Sequence, residues 1–100
     1  MNTKLSLGLR PGVSDLLLKD DRGLVGIEMK FPGETHEVTH LIRQAEWIIN
    51  ACDAGGFCDN FEQFQSIVNG YSEWINPRKV IDVLRKVRTK YFVWDSNLFI

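Results

Sequence analysis

Apolar and polar positions change period along this chain, and each change marks an element. From Leu24 to Phe31 they alternate, Val25, Ile27, Met29 and Phe31 against Leu24, Gly26, Glu28 and Lys30, which is the period of a β-strand with two unlike faces. Val13 to Lys19, ending in the apolar triplet Leu16-Leu17-Leu18, reads as the strand before it. Between them Asp20-Asp21-Arg22-Gly23 is turn chemistry, with Gly23 able to take a positive φ, so the two strands are expected to pair as a hairpin that ends at Pro32-Gly33. Met1 to Gly12, with Gly8, Pro11 and Gly12 and no sustained period, reads as an extended or irregular lead-in.

The period then becomes helical. Glu34 to His40 is polar and reads as a mobile loop; from about Thr39 to Ala54 the stripe Leu41, Ala45, Ile48 and Cys52, widened by Ile42 and Ile49, predicts a helix that Gly55-Gly56 stops. Phe57-Cys58 reads as a short strand returning to the sheet. Asp59 followed by Glu62 is a helix-start pattern, and Phe61, Phe64, Val68 and Tyr71 share a face of the helix after it. Asn76-Pro77 predicts the cap and first turn of a third helix with Val80, Leu84, Val87 and Tyr91 as its apolar stripe and a basic opposite face. The aromatic and aliphatic stretch from Phe92 to Ile100 is the kind of tail that docks on something. The expected whole is one α/β domain over residues 1–100, a small mixed β-sheet flanked by α-helices.

Composition narrows the class. With 44% hydrophobic and 25% charged residues among 100, one compact core is expected, and a domain of this size gains from self-association. No apolar run approaches the roughly 20 residues that cross a bilayer, and residues 1–9 lack a signal-peptide pattern, so a cytoplasmic protein is expected. Cys52 and Cys58 lack the paired spacing of a zinc site and read as reduced and structural; His36 and His40 sit in or beside the polar loop, where histidines usually have no catalytic role. The net charge of -1 is unevenly spread: Arg78, Lys79, Arg85, Lys86, Arg88 and Lys90 stand against the single acid Asp82, making that segment about +5 and the remainder about -6. Such a run is either a solvated helix face or a set of phosphate contacts.

The informative constellation is Gly12-Val13-Ser14-Asp15, the hairpin turn, then Gly26-Ile27-Glu28-Met29-Lys30. Period two puts Glu28 and Lys30 on one side of their strand, and hairpin pairing can bring Asp15 to that side. Hydrolysis of a phosphodiester needs hard oxygen ligands for Mg²⁺ or Mn²⁺, neutralisation of developing charge and a positioned water. Asp15, Glu28 and the backbone carbonyl of Met29 are candidate metal ligands, and Lys30 is the candidate for orienting water or stabilising the transition state. An E-x-K on a strand is common, and by itself it reads as an exposed cross-strand ion pair; the nearby Asp and the strongly aliphatic surroundings move the reading toward a site.

The Asp and E-x-K spacing, followed by a helix carrying Gln44, resembles the PD-(D/E)xK nuclease superfamily, and the run R-P-G-V-S-D-L-L-L…G-I-E-M-K-F-P-G…R-Q-A-E-W-I is similar to its virus-type replication-repair nuclease (VRR-NUC) branch, as a stand-alone, phage-like member. The resemblance covers roughly residues 9–71. It implies a restriction-endonuclease-like core, metal ligation by Asp15 and Glu28, catalytic support from Lys30 and an active-site role for Gln44, which lies at the margin of the helix's buried stripe. It further implies DNA cleavage as a homodimer, with a four-way Holliday junction as the first substrate choice and a flap or other branched structure as the second. Ser14 stands where the motif usually has proline. The fourteen residues before Asp15 hold no acid, whereas family members usually carry one on an N-terminal helix, so a partner subunit, loss of the helix or trimming is implied. Lys4, Arg10, Arg78, Lys79, Arg85, Lys86 and Arg88 are the candidate DNA contacts, through phosphates rather than bases. Two rival classes remain: a non-catalytic nucleic-acid-binding protein with a structural ion-pair cluster, and an interaction module that uses the aromatic tail.

Overall fold

A computed structural model describes residues 4–7 and 14–100. Its main sheet has the order β1-β2-β3-β5, from β1 (Lys4–Leu7), β2 (Leu16–Asp20), β3 (Gly23–Met29) and β5 (Ala54–Cys58). The first three strands form an antiparallel meander, and β5 lies parallel to β3 after a crossover through α1 (Val38–Ala51). A second, two-stranded sheet pairs β4 (Thr35–Glu37) with β6 (Tyr91–Val93), and α2 (Phe61–Val68), α3 (Pro77–Leu84) and a short 3₁₀ turn (Ser96–Phe99) complete the domain. The expected small mixed sheet with flanking helices is what forms. Among the described residues no helix is long and apolar enough to cross a membrane.

The alternation in β3 decides which face each core occupies. Leu16, Leu18, Val25, Ile27 and Cys58 point to one side, where α2 covers them with Ile67. Phe57 points to the other, where Val38, Leu41, Ala45 and Ile48 of α1 pack with Val80, Ile81 and Leu84 of α3 and with Phe92, Trp94 and Phe99. Burying each such side chain contributes about 1.5–3 kcal/mol. The sheet is therefore sandwiched between α1 with α3 and, on its opposite face, α2. The tail docks on its own domain: the Trp94 ring stacks 5.5 Å from Phe57 and 4.9 Å from Phe99.

Two glycines set the spacing of these layers. A Cβ on Gly26 would fall 2.7 Å from the Cys52 sulfur and 2.8 Å from the Ser14 hydroxyl oxygen, so its absence lets the end of α1 settle on the sheet. Gly55 has φ +133°, and a Cβ there would collide with the backbone of Gly26, its partner across the parallel ladder.

Several elements differ from the expectations. The lead-in contains β1, paired along its length with β2. Residues 35–37 are a strand because the distant segment 91–93 pairs with them, so the helix starts at Val38 and not in a longer mobile loop. The helix ends at Ala51, and Gly55-Gly56 belong to β5 instead of stopping it. The cap of α2 is Asn60, whose side chain accepts from Gln63 N–H while the Gln63 side chain accepts from Asp59 N–H. Ile67 is the buried residue of that helix, whereas Phe61 and Tyr71 are exposed. Asn76 and Pro77 do begin α3, Asn76 accepting from Arg78 N–H, but the helix stops at Leu84 and Tyr91 lies exposed on β6.

The β2–β3 hairpin closes with Gly23 at φ 91°, and Arg22 in the turn ties it to the end of α2. Its guanidinium pairs with Asp20 at 2.6 Å and donates to the carbonyls of Tyr71 at 2.6 Å and Ile67 at 2.7 Å. Arg22→Ala removes the Asp20 ion pair and the guanidinium's bonds to both carbonyls, though Gly70 N–H still donates to the Ile67 carbonyl, and the thermal midpoint is expected to drop by roughly 3–6 °C. A midpoint within about a degree of wild type, followed by circular dichroism, would show that this clasp contributes nothing.

Candidate functional site

Continuing the β2–β3 register one pair beyond Leu16↔Ile27 brings Asp15 opposite Glu28, where the two side chains share a face. The contacts are reciprocal. Asp15 N–H donates to Glu28 Oε1 at 3.2 Å, and Met29 N–H donates to Asp15 Oδ2 at 3.0 Å. Glu28 pairs across the parallel ladder with Phe57, so it faces α1, and there Gln44 Nε2 donates to Glu28 Oε2 at 3.0 Å. Lys30, two residues along β3 and on the same side, places Nζ 3.5 Å from Glu28 Oε2. All four side chains expected at the site, Asp15, Glu28, Lys30 and Gln44, therefore meet. Met29 turns its side chain away, toward Cys58 on the other face.

Burial divides the cluster. Glu28 has no exposed surface, Lys30 and Gln44 are buried, and Asp15 is exposed, so the group opens to solvent on the Asp15 side. Burial, and after it the neighbouring Asp15 carboxylate, push the Glu28 carboxyl up to about 8; Lys30 offsets part of this. The buried anion is thus under-compensated by its own surroundings. Gln44 Oε1 and Ser14 Oγ are also buried without hydrogen-bond partners among the described residues.

A divalent cation fits this donor set. Mg²⁺ and Mn²⁺ favour carboxylate oxygens, and Mg²⁺ is commonly held by one or two carboxylates, with water and substrate oxygens filling its remaining positions. Among the described residues no three His, Cys, Asp or Glu side chains converge on one point, so the side chains offer two ligands, Asp15 and Glu28. A cation between them would relieve the repulsion that raises Glu28. Cys52 and Cys58 are free thiols, pushed up to about 11 and about 12 chiefly by burial, which keeps them protonated and unsuited to bind metal.

The basic candidates are spread over the surface. Arg78 borders a groove of about 210 Å³ with Ile48, Cys52, Asp53 and Gly55, at the end of the sheet where β3 begins and Glu28 does not lie. Lys79, Arg85, Lys86 and Arg88 are exposed on and after α3. Lys4 falls in β1, and Arg10 lies outside the described residues. Two residues near the centre carried no assigned role in the sequence reading. Ser14 is buried against Gly26, and His36 is held below its ordinary pKa first by burial and then by the Lys30 charge. Ser14 was signalled only by standing where the resembled motif usually has proline, and His36 only by its place in or beside a polar loop near the expected site.

No protein-family model, curated protein or solved structure matches the chain.

The proton on Glu28 gives a test by stability. The folded protein holds that proton more tightly than the unfolded chain, so without metal stability is present at low pH and falls as pH rises from about 4.5 through about 8. The loss is on the order of a few kcal/mol. Glu28→Gln removes the titration and is expected to flatten this part of the profile of thermal midpoint against pH. An equal slope in wild type and variant would show that Glu28 does not titrate in the folded state.

Proposed function

We propose that this protein is a metal-dependent endonuclease that hydrolyses phosphodiester bonds in branched DNA, working in the cytoplasm as a homodimer with Mg²⁺ or Mn²⁺. The observation that carries the reading is the meeting of Asp15, Glu28, Lys30 and Gln44 at one solvent-opening point on the sheet. The resemblance to PD-(D/E)xK nucleases of the VRR-NUC branch supports it, as does a meander followed by a crossover helix and a parallel strand, which suits a restriction-endonuclease-like core.

Asp15 and Glu28, with the Met29 carbonyl, would hold the cation, which supplies charge neutralisation and a more acidic water when bound. Glu28 has both oxygens already bonded, to Asp15 N–H and to Gln44 and Lys30, yet an ionised carboxylate offers about four acceptor positions and retains room for a ligand bond. Gln44 fixes the carboxylate plane. The Lys30 ammonium stands where negative charge develops on a phosphate laid against Asp15, and a pre-positioned cation there stabilises the transition state more than the ground state. Lys79, Arg85, Lys86 and Arg88 supply sequence-independent phosphate contacts, and a two-fold dimer presents two centres to the two strands of a junction.

One observation favours a non-catalytic nucleic-acid-binding protein instead: every Glu28 oxygen has a protein donor, and the carboxyl keeps its proton to about 8, as suits a closed structural network. Labelled four-way junction, flap and linear duplex, each incubated with Mg²⁺, Mn²⁺ or chelator, separate the two. Metal-dependent cleavage of the branched substrates is expected, reduced by about 10²-fold or more in Lys30→Ala. Binding without cleavage under either metal would leave the non-catalytic reading standing.

A further inference from the structure

Beside the centre runs a groove of about 350 Å³ lined by Thr35, His36, Glu37, His40, Arg43 and Tyr91. Its walls come from β4, the first turns of α1 and β6, three segments brought together by the β4–β6 ladder and by Val38 N–H donating to the Lys90 carbonyl. His40 lies one helical turn before Gln44, so the same side of α1 leads from the groove to Glu28. His36, in the groove wall, stands 4.0 Å from the Glu34 carboxylate, which accepts from the N–H of Phe31, the residue after Lys30, so the groove lies close to the end of β3 that carries the centre.

The lining has a distinctive chemistry. His40 and Arg43 are exposed donors, Lys90 holds its ammonium 5.5 Å from the centre of the Tyr91 ring, and Tyr91 leaves 52% of its surface open. An exposed aromatic ring beside cationic donors is the combination that takes a base on its face and a phosphate at its edge. The volume is at the low end of the range that holds a small ligand, suited to one nucleotide unit.

We propose that this groove binds the nucleotide adjacent to the scissile phosphate, with Arg43 and His40 on its phosphate and Tyr91 stacked on its base. The assignment rests on the nuclease reading of the centre, and it adds a specific strand path from Asp15 across the start of α1. Glu37 borders the groove and repels phosphate, which directs the backbone to the Arg43 side and the base toward Tyr91.

Fluorescence anisotropy of a labelled four-way junction, read in chelator, and steady-state cleavage with Mg²⁺ test it together. Arg43→Ala/Tyr91→Ala, at two exposed positions, is expected to weaken binding and raise KM about tenfold while changing kcat by less than about twofold. Arg43→Ala alone lowers the salt slope of binding by about one. Gln65→Ala, on α2 across the sheet, leaves binding and cleavage unchanged. Wild-type binding and KM in the double variant, or no DNA binding by the wild type, would overturn the groove assignment. If no divalent metal supports cleavage by the wild type but the double variant still loses binding, the groove stands as a nucleic-acid site and the nuclease reading falls.

Discussion

The buried carboxylate of Glu28 constrains this molecule more tightly than any apolar contact. Taking a carboxylate out of water is costly unless donors replace the lost hydration. Here the donors arrive from three places: the Asp15 backbone just before β2, Gln44 on α1 and Lys30 just beyond β3. Gln44 is in range only if α1 lies close against the sheet, and the missing side chain at Gly26 permits that approach. The register of β2 on β3 must also be correct, because a shift of β2 by one residue would turn Asp15 to the opposite face, away from Glu28.

The compensation is incomplete, and that incompleteness is where chemistry becomes available. Asp15 adds a second negative group beside the first, and with Lys30 the cluster still favours a protonated Glu28 near neutral pH. Two apolar cores, one on each face of the sheet, hold this strained arrangement in place. The centre opens to solvent at Asp15, and His40, Arg43 and Tyr91 line a groove at the start of α1.

Elements governed by local rules were legible. The period-two pattern of β3 put Glu28 and Lys30 on one side, Gly23 closed the hairpin, and Asn76-Pro77 began α3. The misses share a cause. β4 has only three residues and owes its form to β6, more than fifty positions away, so no local signal distinguishes it from a loop. Gly55-Gly56 look like a helix stop, yet they serve a strand because Gly55 must pass close to the Gly26 backbone, a requirement set by the neighbouring strand. The aromatic tail announced that it would dock; its seat against Phe57 became visible only when α1, α3 and β5 were assembled.

The amino-acid order alone determined which side chains can share a face, since strand and helix periods are local geometry: Glu28 with Lys30, and His40 with Gln44. Tertiary structure decided that Gln44 meets Glu28 and that Asp15 joins them. It also decided that the Glu28 carboxyl binds its proton more tightly than an ordinary glutamate. Burial and charge proximity depend on which elements pack together, and such distances are absent from any short window of the chain.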